Sequence, residues 1–538
     1  MYRRPFFATA LLGLALLLPA LARADEQAPK SDKPAVLLRF ASLDHLRGDF
    51  RYLAKVVGQA EKAKQLDGIL KSQLGDEGLK GIDTKKPIGA YGWVGAFGID
   101  SKAVLLVPIA DKKAFLDLIA NMLEKPDKGD DDVYTLNVDK VPAPVYFRFA
   151  NDYAYITVRD KEVLEKDKLL APAAVLPAGQ IGTVSVILNV DEIPEDLKEK
   201  ALGAIDNQLA GLKDKEMPGH TEAQKAFRDA AIDELGARIK SLLNHGGETT
   251  LRLDLDRKAG DVTLTASVAG KPGSPLAKTI RDLGQVKSWT ASLLHPGSAL
   301  KAELNVSLPE KLRALLGPAL KDAEKQTLAK AKDDSERDVV KTLLEGVMPT
   351  LKAAELDTAV ELSGPSDNGI YTLLGGIKIK DGAKMEKSFR TTAARYPGVV
   401  KLDAEKVDHV GIHRINPDKN LKAGARRAFG ENPLYVAFRD EVMFIGAGDK
   451  GLGVLKEALT ASPRTGKVME VQMALARLAP LADNQTNADI ARKVFSDPSK
   501  NNDRVRITLE GGKALTLRVS MGAKLLDYVN QVEKAKRQ

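Results

Sequence analysis

The sequence predicts an α+β fold of two tandem, similar halves, each a mainly antiparallel sheet packed with pairs of amphipathic helices. Three observations predict it. Residues 145–160 (VYFRFANDYAYITVRD) have a counterpart at 434–449 (LYVAFRDEVMFIGAGD). Tyr146 aligns with Tyr435, Phe149 with Phe438, Ile156 with Ile445 and Asp160 with Asp449, all at one constant spacing. Residues 186–195 (VILNVDEIPE) match 300–310 (LKAELNVSLPE) around a shared Leu-Asn-Val and Pro-Glu. Finally, an order of strand, two helices, two strands and a helix recurs four times. Its strand pairs are joined by tight turns, which parallel neighbours do not allow.

In chain order, residues 35–40 (AVLLRF) read as the first strand. Leu46, Phe50, Leu53, Val56 and Val57 recur at helical spacing, and Leu66, Ile69, Leu70 and Leu74 do so again. Residues 90–97 and 103–109 are two strands around a Gly-Ile-Asp-Ser turn. Asp111 is placed to cap a helix that ends at Leu123. The second copy has a strand at 183–190, a helix from Pro194 and another from Thr221. There Thr221-Glu222-Ala223-Gln224 forms a capping box, two side chains satisfying the open amides of a helix start. Residues 249–255 and 261–268 make a hairpin, and Pro275 opens a short helix. The third copy opens with the matched run 300–310, followed by helices reaching Leu351, strands at 357–362 and 371–379 and a helix from Asp381. In the fourth, which begins at Val468, Val505, Ile507 and Leu509 alternate with polar residues, as do Leu515, Leu517 and Val519. That is the pattern of half-buried strands. The last helix is 524–534. The first and third copies each carry an insertion with the matched hairpin, whose two faces are both largely apolar, as interior strands require. A duplicated half, 35–285 and 286–538, accounts for this arrangement. Units of this length are not solenoid repeats.

The N-terminus reads as a cleaved secretory signal over residues 1–24. Arg3 and Arg4 precede an apolar run, 6–21, and Ala22-Arg23-Ala24 offers the small residues a signal peptidase reads. That run is shorter than the roughly 20 residues of a spanning helix and contains Gly13 and Pro19. Residues 25–34 are polar and read as a disordered linker. The expected location is the periplasm or the cell exterior, with no transmembrane segment after cleavage. The chain has no cysteine, so it holds no disulfide, redox pair or thiolate metal site. Its formal charge is +8, or +5 without Arg3, Arg4 and Arg23 (8 − 3). The charges are interspersed and not gathered into a basic stripe, which excludes a nucleic-acid binder.

The candidate chemical motifs are weak. His409 and His413 have the spacing of a helical metal pair beside Asp408, but 407–413 reads as a strand. There four residues span about 13 Å, too far for one ion. Asp127 and Asp130–Asp132 form an acidic turn without the ligand order of a calcium loop, and 497–503 has the same status. Residues 448–453 (GDKGLG) are no phosphate loop, and capping of the next helix by Asp449, as by Asp160, explains them better. Residues 510–513 read as a hairpin turn. Ser298 and Lys301 form an S-x-x-K that enters a strand. His45, His220, His245 and His295 have no neighbouring partners in sequence. No catalytic, cofactor-binding or metal-binding residue is assigned.

The run 101–160 has a strand ending Val-Pro-Ile, an Asp-Lys-Lys-Ala-Phe helix start, then Val-Tyr-Phe-Arg-Phe and Tyr-Ala-Tyr-Ile. It resembles a family of exported bacterial proteins of unknown function, of the planctomycete type. The resemblance implies export and this repeated α/β plan, and it brings no catalytic residue. The expected function is an exported, non-enzymatic binding or structural protein using a surface or groove between its duplicated halves. Its partner would be a protein or an apolar small molecule. A carrier of lipid or another apolar ligand is one alternative, with the Lys-faced helix pairs flanking its groove. A hydrolase with a dispersed active site is the other.

Overall fold

The computed structural model describes residues 33–537 apart from 66–67, 69–78, 96–100, 139–140, 142, 216, 218, 292–294, 296, 332, 418–421, 483–484 and 497–501. The signal and most of the polar linker therefore lie outside the described residues. The fold is mixed, with helices and extensive antiparallel sheet. The chain divides into two compact units. One holds the described residues of Met1–Ala204, Leu242–Lys271 and Ala523–Asn530; the other holds Ile205–Ser241, Pro272–Gly522 and Gln531–Gln538.

The first unit contains strands β1 (Val36–Phe40), β2 (Ile88–Trp93), β3 (Lys102–Pro108), β4 (Asp127–Lys128) and β5 (Tyr134–Leu136). They are followed by β6 (Val145–Ala150), β7 (Tyr153–Val158), β8 (Val184–Asn189), β9 (Gly246–Asp256) and β10 (Asp261–Gly270). Their spatial order is β10-β9-β8-β1-β2-β3-β7-β6-β5-β4, antiparallel throughout. Helix α1 (Leu43–Val56) follows β1, α2 (Lys112–Met122) follows β3, and α3 (Pro172–Val175) precedes β8. Helices α4 (Glu195–Lys213) and α5 (Glu222–His245) link β8 to β9; their outer parts belong to the second unit. Both faces of the middle strands are covered. Tyr91, Leu106 and Tyr155 lie in one cluster, while Val107, Phe147 and Ala154 pack with Phe115 of α2 in another. Strands buried on two sides lose their polar alternation, which is why 145–160 is apolar on both faces. Its turn, Asn151-Asp152, is left-handed at both positions, as a two-residue hairpin demands.

The second unit contains α6 (Pro275–Leu283), β11 (Lys287–Ser288), β12 (Leu300–Ser307), α7 (Glu310–Ala329), α8 (Asp334–Ala353), β13 (Glu355–Ser363) and β14 (Thr372–Lys378). Next come α9 (Gly382–Ala393), β15 (Val400–Val407), β16 (Val410–Ile415), α10 (Ala423–Phe429), β17 (Leu434–Phe438), β18 (Val442–Gly448) and α11 (Gly451–Thr460). The rest are β19 (Arg464–Thr465), β20 (Met469–Ala474), α12 (Leu475–Leu478), α13 (Gln485–Val494), β21 (Arg504–Glu510), β22 (Leu515–Gly522) and α14 (Lys524–Lys536), part of which belongs to the first unit. The main sheet runs β22-β21-β20-β12-β13-β14-β18-β17-β16-β15, again antiparallel throughout.

Local signals decide several element ends. Asp111 accepts the Ala114 amide at 2.7 Å, and Thr221 and Gln224 exchange the two bonds of the capping box. The capping expected at the matched hairpins differs. Asp160 accepts the Glu162 amide, but the element it starts is a short 3-10 turn, Lys161–Leu164. Asp449 caps nothing: α11 begins after Lys450, without a side-chain cap.

The glycines of that segment serve close packing. Gly448 sits at φ +84°, where a Cβ would strike the Tyr371 carbonyl, and a Cβ on Gly446 would strike Gly451. Gly448→Ala is expected to cost about 2 kcal/mol, from left-handed strain and the collision together. A urea midpoint equal to that of the parent chain would contradict this.

Candidate functional site

The apolar core face of the first sheet extends past the helices that cover it. On β8–β10 the side chains opposite one another are Val184 and Leu253, Val186 and Leu251, and Leu253 and Leu264. They share one side of the sheet, because directly paired residues do. Val186, Leu251, Leu253 and Leu264 are 36–47% exposed. The reverse side of the same strands holds Ser185, buried, opposite Arg252. On β1, Arg39 is likewise buried and donates to the Val175 carbonyl at 2.5 Å, while Leu38 on the apolar side is not fully buried.

The second unit repeats this inversion more strongly. On β20 the polar residues Glu470 and Gln472 are buried, and Met469, Val471 and Met473 between them are not. On β12, Lys301 and Glu303 are buried, and Leu300, Ala302 and Leu304 are not. On β21, Thr508 is buried, whereas Ile507 and Leu509 are only partly so. Val306, Leu356 and Leu517 on the apolar side are 36–38% exposed. Alternation along 504–519 is as the sequence predicts: Val505, Ile507 and Leu509 are half-buried, and among the residues between them Thr508 is buried while Arg506 is exposed.

The polar side is closed by its own charges. Glu470 receives Lys301 at 2.8 Å, Lys467 at 2.8 Å and Arg506 at 3.0 Å. Burial alone would push its carboxyl up, but the three hydrogen bonds outweigh it and hold the group down at about 2. Glu303, directly opposite on β12, goes the other way, raised by burial and then by the Glu470 charge. One carboxylate is fully partnered and its neighbour is not, which is how adjacent acids separate.

A second constellation lines a cleft of about 1040 Å³ in the second unit, with Glu386, Arg390, Asp403 and His409 on its wall. Arg390 bridges Glu386 at 2.6 Å and Asp403 at 2.6 and 2.7 Å. His413 is fully buried between Phe389 and Phe438. Its Nδ1 accepts the Asp403 amide at 3.2 Å, so the ring proton of the neutral form is on Nε2. Nε2 lies 3.3 Å from Glu386 Oε1, out of line for a hydrogen bond. The trio has the donor types of a metal site, but Arg390 already occupies the cation position between the carboxylates. Nδ1 is also committed to the backbone. The cluster is an arginine-clamped structural knot.

Burial lowers the His413 pKa, and Arg390 lowers it further. A histidine depressed below its unfolded value near 6.5 gives stability that is present above that pH and lost as pH falls through the folded pKa. The urea midpoint is therefore expected to fall below about pH 6.5, and to fall less in a His413→Phe chain. Equal slopes in both chains would contradict the assignment.

The structure disposes of the remaining motifs one by one. Residues 407–413 are not one strand: Asp408, at φ +49°, and His409 form the turn between β15 and β16, and His413 points into the core while His409 is exposed. In the acidic turn Asp132 pairs with Lys128 and Asp131 with Lys161. Ser298 donates to the His295 carbonyl, and Lys301 is spent on Glu470. Residues 497–501 lie outside the described residues. Gly511 and Gly512 form the β21–β22 turn, packed against Gly284. The sequence reading missed His45, which meets buried Asp49 at 3.3 Å, and His295, which meets buried Glu361 at 3.0 Å. His45-x3-Asp49 at helical spacing was the available signal; His295 carried none. Asp49 is also held by Thr183 at 2.9 Å and Arg257 at 3.2 Å, so it fastens α1 to the sheet.

No family model matches the chain, and no curated protein matches it. One solved structure, described as crystal form IV of TP0453, is similar over 44% of this chain and 76% of its own length, at 14% identity and a TM-score of 0.21. A likeness of that size carries no argument about fold or function. Among the described residues, no helix is long and apolar enough to cross a membrane.

Proposed function

We propose that the chain is an exported, non-enzymatic binding protein that holds an apolar ligand against the uncovered apolar sides of its sheets. One observation carries the reading: burial is inverted on β12 and β20, where Lys301, Glu303, Glu470 and Gln472 are enclosed and the aliphatic side chains between them stay partly open to solvent. Burying charge costs free energy, and leaving aliphatic surface in water adds to that cost, so the arrangement is unfavourable unless something covers the apolar side. Exposed contiguous apolar surface on a folded chain marks a binding site. The helix pairs suit the same reading. Leu212 and Leu235 in α4 and α5, and Leu343 and Leu351 in α8, are exposed apolar side chains as well. The same strand order in both units supports descent from a duplicated half built of the repeated strand, helix-pair, hairpin and helix unit. Export, to the periplasm or the cell exterior, rests on residues 1–24 alone, and kinship with the planctomycete-type exported proteins on 101–160.

Nile red, which brightens and shifts to the blue in apolar surroundings, tests the proposal. A saturable response to the purified chain is expected, and a response no greater than with an unrelated folded protein would overturn it.

A further inference from the structure

We infer that the ligand is the acyl chains of a membrane phospholipid, lying on the sheet while the headgroup stays in water; this rests on the reading that the apolar sides are binding surfaces. The composition of those sides selects the chemistry. On β8–β10 they carry Val, Leu, Ala and Thr, and on β12 and β20–β22 they carry Val, Leu, Ile, Ala and Met. No aromatic ring and no arginine stands on these strands' apolar sides; Phe40 of β1, opposite Val184, borders the patch. A protein partner, a second copy of this chain included, would dock through anchors of Trp, Tyr or Arg at the centre of its interface. A planar or aromatic ligand would be met by rings. Phe, Tyr and Trp are placed elsewhere in this protein, as in the covered clusters around Tyr91 and Phe147. A flat aliphatic surface is complementary to a flexible aliphatic chain.

Two further features fit. Met469, Met473 and Met521 put three of the nine methionines on one side of β20–β22, and pliable thioethers accommodate chains of variable shape. In the first unit the open apolar rows from Leu253 and Leu264 to Thr249 and Val268 extend roughly 13 Å along the strands, enough for part of an acyl chain laid straight. Arg257 and Lys271, at the ends of β9 and β10, are engaged by Asp49 and Asp191. Neither is a free anchor for a fatty-acid carboxylate.

Two assays on the full chain test this. In the first, lysophosphatidylcholines of ten to sixteen carbons displace bound Nile red; affinity should rise about four-fold per added methylene, the factor for burying one CH2 at about 0.8 kcal/mol. In the second, the protein should speed transfer of a pyrene-labelled phospholipid between phosphatidylcholine vesicles. Nile red binding with no chain-length dependence would overturn this inference and leave the binding reading standing. So would preference for a sterol, or displacement by free fatty acids alone. A dimer whose formation excludes Nile red would assign the surface to a second copy. Failure of Nile red itself would remove the reading beneath.

Discussion

Glu470→Gln is expected to lower the stability of the second unit by about 3 kcal/mol, because removing one partner of a buried ion pair leaves the others uncompensated. Lys301 is buried and is held by Glu470, and Lys467 and Arg506 converge on the same carboxylate. The effect is largest near neutrality. The Glu470 pKa is held at about 2, below an unfolded value near 4.3. A depressed carboxylate gives stability that is present above the unfolded value and lost as pH falls toward the folded one. The parent and the variant should therefore converge in urea midpoint between about pH 4 and pH 2. A variant as stable as the parent at pH 7 would mean that the three cations do not depend on Glu470.

That network also marks the limit of what the sequence discloses. Alternation along 504–519 and 469–473 locates strands, because side chains on a strand alternate sides whatever covers them. It is silent on which side is covered, which depends on where helices from distant parts of the chain come to rest. The half-buried reading of Val505, Ile507 and Leu509 agrees with their partial exposure, but it does not disclose that Thr508, on the other side, is buried. The matched hairpins 145–160 and 434–449 are legible because apolar residues on both faces mean an interior position. Residues 407–413 misled because the residues leading into them belong to a strand that ends there. That strand carries alternating charged residues, Lys401, Asp403 and Glu405, and the turn at Asp408 interrupts what reads as one strand. Glu303 and Glu470 meet only through strand register, far apart in the chain, and no local pattern announces them. His45 and Asp49 were within reach of a helical-spacing search.

The second large effect is on binding. Introducing Leu251→Glu and Leu253→Glu together is expected to weaken Nile red about tenfold or more, since charge would replace aliphatic surface at the centre of the face. Stability should stay within about 0.5 kcal/mol of the parent, as for other exposed positions. Both leucines are already more than a third open to solvent, at 47% and 38%. The contrast is Leu106, fully buried in the same unit, where truncation to Ala is expected to cost about 2–5 kcal/mol. A double variant that unfolds would place these leucines in the core and end the claim that their side of the sheet is a surface. A double variant that folds and binds Nile red undiminished would move the site elsewhere.

The most direct measurement is native mass spectrometry of the protein purified from its own kind of host without detergent, followed by solvent extraction and analysis of what is released. Bound species with the masses of phospholipids, reduced in the Leu251→Glu, Leu253→Glu chain, are the predicted result. A ligand-free spectrum that does not change after incubation with phospholipid vesicles would contradict the account.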